Sequence, residues 1–329
     1  MPITTNDFPA LTDDLESIFN VTAKTKIGDM VSNQLFDIRE VARRTWDHLI
    51  LHGVSGVVEV TPGQDLPTIN ADEGDSITYT QKYYGANFEV TKAMRKFDLF
   101  DQIFSLAKST ATDAFDKIDQ ALADVLLNGF ATTAYTDVFD SSITPTGPNA
   151  LALFSATQTF GLATQSATFR NLIRNDAGTA NPVLDRAAII KARVDAATHQ
   201  DGAGLTRPIN LDTLIVAPQN HDLAMRIVNS SGVSGTPNVD LNPLQNVVKV
   251  VQWERLQTSG QGTDTSAFWF IADSRQVKES LKGFFAEKPS LDAPEQVYRN
   301  KNWQYSVDFF FTYGFGFQAY IWGSDATGS

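Results

Sequence analysis

With no cysteine and with its carboxylates many but scattered, the chain's clearest candidates for acid–base or metal chemistry are four histidines, His48, His52, His199 and His221. His48 and His52 stand four residues apart in His48-Leu49-Ile50-Leu51-His52, so on a helix they share a face. That spacing suits a metal, but the glutamate of a His-Glu-x-x-His site is missing. Two histidines packed on an arm helix is the better reading. His199 lies near Asp201 and His221 beside Asp222, arrangements that could serve as base and orienter. No Gly-x-Ser-x-Gly elbow supplies a nucleophile for them. Gly202-Ala203-Gly204 lacks the third glycine of a dinucleotide fingerprint and follows a helical pattern, where that fingerprint follows a strand. No phosphate-binding Gly-x-x-x-x-Gly-Lys loop occurs. The chemistry search therefore predicts no catalytic residues, no cofactor and no metal, and a chain that is not an enzyme.

The charge balance narrows the partners. The 329 residues carry 26 Lys and Arg against 38 Asp and Glu, a formal net charge of −12. Such a surface repels phosphates instead of releasing their counterions, which argues against sequence-specific DNA binding. It leaves room for enclosing DNA neutralised by mobile cations. The first residues lack the basic and apolar regions of a secretory signal. No segment approaches the roughly 20 apolar residues of a membrane span.

The elements that would position any site are read from periodicity. Leu11–Phe19 predicts a short helix, and Phe36–Leu51 a second, weaker one, together an arm that lies on something else, such as a neighbouring subunit. Gly56–Thr61 reads as a strand. Ser76–Tyr83 alternates, reaches Gly85-Ala86-Asn87 and returns as Phe88–Thr91, the pattern of a projecting hairpin. From Asp98 to Phe130, apolar residues at steps of three and four form one helical stripe with no Pro or Gly before Gly129. Residues 131–182 read as irregular with short strands. A mixed α/β unit follows, with a helix at 185–197, a strand at 211–217, a helix at 219–227 and buried strands at 247–251 and 268–272. Aromatic and apolar residues at every second position from Tyr305 to Phe317 predict a long strand with an aromatic face. The fold class is α+β.

Local motifs occur in a telling order. They are Leu151–Thr157, then Gln200–Gly204 followed by Leu211–Pro218, the helix Ala224–Ser230, the loop Asn238–Asn246, Trp269–Asp273 and Tyr320–Ser324. In that order the chain resembles the HK97-type major capsid proteins of tailed phages, and within them the branch of the Mu-like major head subunits. The resemblance implies an N-arm (1–55), an E-loop hairpin (56–96), a P-domain (97–189 and 283–329) built on the long helix, and an A-domain (190–282). It implies pentamers and hexamers of an icosahedral shell around double-stranded DNA, assembled in the host cytoplasm and found in the virion. A scaffolding protein, a portal protein and a decoration protein are the implied partners, with no membrane. The alternative is an encapsulin-like nanocompartment shell. Candidate subunit-interface residues are Tyr79, Lys82, Tyr83, Tyr84 and Phe88 in the hairpin, and Asn238 and Asn242 in the later loop. Some family members crosslink a Lys to an Asn, but no motif here specifies that bond.

Overall fold

A computed structural model describes residues 8–51, 59–66, 73–97, 100–160, 168–202, 204–230, 232 and 241–328. In chain order the elements that matter are helix α1 (Phe8–Asp29), strands β1 (Asp37–Glu40), β2 (Thr45–Leu51), β3 (Glu73–Thr80) and β4 (Lys82–Val90), and helices α2 (Lys92–Lys96) and α3 (Phe100–Leu127). Then come α4 (Arg186–Ala197), β5 (Thr213–Val216), α5 (Pro218–Asn229), β6 (Lys249–Gln252) and β7 (Trp269–Ala272). The chain closes with β8 (Leu281–Leu291), β9 (Glu295–Gln296), β10 (Trp303–Phe315) and β11 (Ile321–Ser324).

The apolar stripe forms α3, about 42 Å long at its 28 residues. Its first half buries one face through Ile103, Ala107 and Ala111, while its last turns, Ala121 to Leu127, are buried all round. Helix α1 lies along it, with Leu15 and Phe19 fully buried. The predicted short arm helix is thus longer than its sequence pattern, and it packs on its own chain. A helix with weak formers such as Asn20, Thr22 and Thr25 is held by that packing, not by propensity.

Against α3 stands the main sheet. Strands β8 and β10 pair antiparallel from Leu281 opposite Phe315 to Leu291 opposite Val307. Strand β1 adds parallel to β8, β9 extends the β8 side, and β4 pairs along the far side of β10. Tyr305, Val307, Phe309, Phe311 and Phe315 of β10 are buried, and Phe311 stacks on Phe285 with centroids 4.4 Å apart. This is the aromatic face predicted from period two.

The α/β unit has its own sheet, ordered β6-β5-β7-β11. Leu214, Val216, Trp269 and Ile271 pack on α4 and α5, while Ile215, Phe270 and Ala272 face the core around α3. Burial on both faces explains why these strands read as unbroken apolar runs. Strand β11 pairs with β7, so the last residues of the chain sit in this sheet, apart from the other C-terminal strands.

Two local expectations are corrected. Residues 36–51 are not a helix but contain β1 and β2. Trp46, His48 and Ile50 turn inward while Asp47 and Leu49 face out, a period of two that a short apolar run also allows to be read as helical. The hairpin is also paired differently: β3 pairs with β2, whereas β4 pairs with β10. Gly85-Ala86-Asn87 is the middle of a strand. Gly85 serves close approach, because a Cβ there would stand 3.2 Å from the Val307 carbonyl oxygen. The change of direction falls at Gln81, whose N–H is bonded to the Arg44 carbonyl at 2.9 Å. The first half of the strand expected at 56–61 lies outside the described residues; Glu59–Thr61 is not in a strand.

Candidate functional site: the surfaces for subunit contact

The β2–β3 hairpin is the projecting element. Its base packs on the open face of the main sheet. The Tyr79 ring meets Phe284 edge-on at 5.2 Å and Trp46 lies 5.6 Å from the same ring. Tyr79 also covers Gly314, where a Cβ would stand 2.9 Å from the ring, so only glycine leaves it room. Beyond the base, residues 61–66 are all exposed, including Leu66 at 81 %. Their one regular feature is a turn closed by the Gln64 N–H on the Thr61 carbonyl, with Gly63 at φ +94°.

The interface candidates separate on this frame. Tyr79 and Phe88 are buried in their own chain, Phe88 stacked on Tyr305 at 5.2 Å. Burial pushes the Tyr79 hydroxyl well above its ordinary range, and the hydroxyl has no partner among the described residues. Tyr84 is half-buried against Phe139 at 4.4 Å, and burial pushes its hydroxyl up to about 12. Asn242 is buried and caps the end of α5, donating to the Ile227 and Val228 carbonyls at 2.7 and 3.3 Å. Lys82 reaches the Ser142 carbonyl at 3.3 Å. Tyr83, 62 % exposed over Phe310, is the candidate that offers surface. Asn238 lies outside the described residues.

The histidines do not assemble a centre. His48 sits in β2, which removes the shared helical face, and His52 lies outside the described residues. His199 is buried edge-on to Phe169, and burial pulls it down to about 4, against a small opposing pull from Asp201. Asp201 is bonded to Arg207 at 3.0 Å and to the Leu205 N–H at 2.9 Å, which makes it a loop fastener. Asp222 pairs with Arg226 at 2.7 Å. Among the described residues, no group of three or more His, Asp or Glu could hold a metal, and no helix is long and apolar enough to cross a membrane.

Sequence reasoning missed the carboxylates on the buried side of α3. Asp119 accepts from the Trp253 indole at 3.1 Å, and Asp116 accepts from Lys26 at 3.0 Å and Arg255 at 2.8 Å, tying α1, α3 and the segment before β7 together. Asp124 accepts the Gly260 N–H at 2.8 Å, and burial pushes it up to about 6, opposed by the Gly260 and Gln120 hydrogen bonds. The signal was available: carboxylates interrupt the apolar stripe between Ile118 and Val125.

A family described as phage capsid protein matches residues 72–321. The chain belongs to the phage capsid protein family. Solved capsid structures share its fold. The capsid of an empty GTA particle superposes with a TM-score of 0.54 at 12% identity, covering 90% of this chain and 89% of that chain. The native GTA particle gives 0.53 at 14% identity, covering 92% and 89%. The capsid of Myoviridae phage XM1 gives 0.50 at 10% identity, covering 90% of each. A search of curated proteins finds no significant match. This capsid protein therefore has the HK97-like α+β fold that the motif order implied, and it is a shell-building major capsid protein. The matches are to phage capsid proteins as a whole and do not single out the Mu-like branch.

Proposed function

We propose that this chain is the major head subunit of a tailed phage, a non-enzymatic protein whose copies form the pentamers and hexamers of an icosahedral shell around double-stranded DNA. The observation that carries the reading is the family match across 72–321, on a fold shared with particle capsids over about nine-tenths of the chain. The hairpin supports it, because residues 61–66 are all exposed in the single chain. The net charge of −12 supports a container that does not grip its DNA. Assembly in the host cytoplasm with a scaffolding protein, joined by a portal and a decoration protein, completes the proposal. Tyr83 and Lys82 are the proposed contacts from β4. A nanocompartment shell is the weaker alternative, since the matching family is one of phage capsid proteins.

Electron microscopy of the expressed protein, alone and co-expressed with candidate scaffolding proteins, tests this. Hollow closed particles are expected. A small monomer under every condition would contradict the proposal.

A further inference from the structure

Arg170 is a half-buried cation without a carboxylate of its own. Its guanidinium donates to the Leu172 carbonyl at 3.2 Å and makes no ion pair among the described residues. Burial, and after it the charge of Arg174, pull the group below its ordinary range, against a smaller opposing pull from Asp195. Asp195 is the neighbouring carboxylate, and its oxygens are already taken. Arg174 holds it side-on, Nε to Oδ2 at 2.8 Å and Nη2 to Oδ1 at 3.1 Å. Lys191 adds a bond to Oδ1 at 2.8 Å. Three cations thus gather around one negative charge, in a chain whose net charge is −12. Residues 161–167, which lead into this segment, contain no Asp or Glu to redress the balance.

Arg170 and Arg174 line one open recess of about 320 Å³, bounded by the segment 168–174 and the last turns of α4. Thr168 brings a hydroxyl to the same recess. Phe169 and Trp322, both buried, also line it, so the two guanidiniums stand beside apolar groups where water and salt screen them less. Each guanidinium keeps N–H donors beyond the bonds just described, in the planar fork that matches the oxygens of a phosphoryl group. We infer that this recess is a binding site for a phosphoryl anion, held between Arg170 and Arg174 with the Thr168 hydroxyl as a further donor. The anion is free phosphate or a phosphate of a nucleic-acid backbone. A carboxylate from a second copy fits less well. It is matched by a single guanidinium, as Asp195 is by Arg174, whereas two forks and a hydroxyl around one space suit a tetrahedral group with more oxygens.

Isothermal titration calorimetry of the full chain with sodium phosphate, at constant ionic strength and beside a sodium chloride control, tests this. Saturable binding of one phosphate per chain is expected. Arg170→Gln should weaken it about tenfold or more, and Arg170→Lys, which keeps the charge and loses the fork, by less. Without phosphate, both variants are expected to unfold within roughly 2 °C of wild type, because no ion pair is lost. Absence of saturable binding to the wild-type chain overturns the inference, and so does equal binding by Arg170→Gln. Heat that chloride reproduces at the same ionic strength is screening and overturns it as well. A duplex oligonucleotide that displaces the phosphate assigns the site to a nucleic-acid backbone, and phosphate retained in its presence assigns it to the free anion; either result keeps the inference. A wild-type chain that binds no phosphate, with an Arg170→Gln variant that assembles less, gives the recess to a carboxylate of a second copy and overturns it.

Discussion

The α/β unit and the β2–β3 hairpin use the same backbone pairing to opposite ends. In the first, β5 and β7 are buried on both faces, and polar groups such as the Trp269 indole are satisfied inside, here by the Pro182 carbonyl at 2.9 Å. In the second, burial stops at the base, where Tyr79 and Ile50 are covered, and residues 61–66 are all exposed. The difference teaches where stability is stored. A two-stranded hairpin is marginal by itself, so its outer part contributes little to the fold of one chain and leaves its surface for others.

Breaking the well-buried side of this comparison should cost most. Trp269→Ala empties a fully buried site and leaves the Pro182 carbonyl only its bond from the Ser324 hydroxyl, for an expected loss of about 3–5 kcal/mol in urea unfolding. Asp124 sharpens the picture from the opposite direction. Its folded value of about 6 lies above the ordinary carboxylate value of 3.8, because burial favours the protonated form. Its contribution to stability is therefore complete below about pH 4 and is lost as the pH rises through about 6. Asp124→Asn should remove that loss, making the variant more stable than wild type at neutral pH by roughly 2–3 kcal/mol. Thermal unfolding from pH 4 to pH 8 checks it, with a flatter pH profile expected for the variant. At the exposed end of α5, Arg226→Ala removes a solvent-facing pair with Asp222 and should change stability by about 0.3–0.5 kcal/mol. The least effect on a single chain is expected from replacing 61–66 with a short Gly-Ser turn. Unfolding should shift by no more than about 0.5 kcal/mol, while particle formation, followed by light scattering, should fail.

The same contrast explains what was legible in the sequence. The stripe of α3, the alternation of β10 and the apolar runs of β5 and β7 are local patterns enforced by burial, so each was readable from its own residues. Strand partners are not local. Nothing in Ser76–Thr91 says that β3 turns back to β2 while β4 crosses to β10, and Gly85-Ala86-Asn87 imitates a turn because the same small residues permit close strand approach. Tyr79 and Phe88 read as candidates for contact between subunits for the same reason, since the sheet that covers them arrives from 281–315. The family was legible because motif order survives even where strand pairing is misread.

The central claim is that the outer hairpin is stabilised by sister copies of the chain within a closed shell. A cryo-electron-microscopy reconstruction of the purified assembly tests it most directly. The account predicts a hollow icosahedral particle in which ordered density for 59–66 lies against another subunit. A particle whose 59–66 loops point into solvent without touching a neighbour would contradict it.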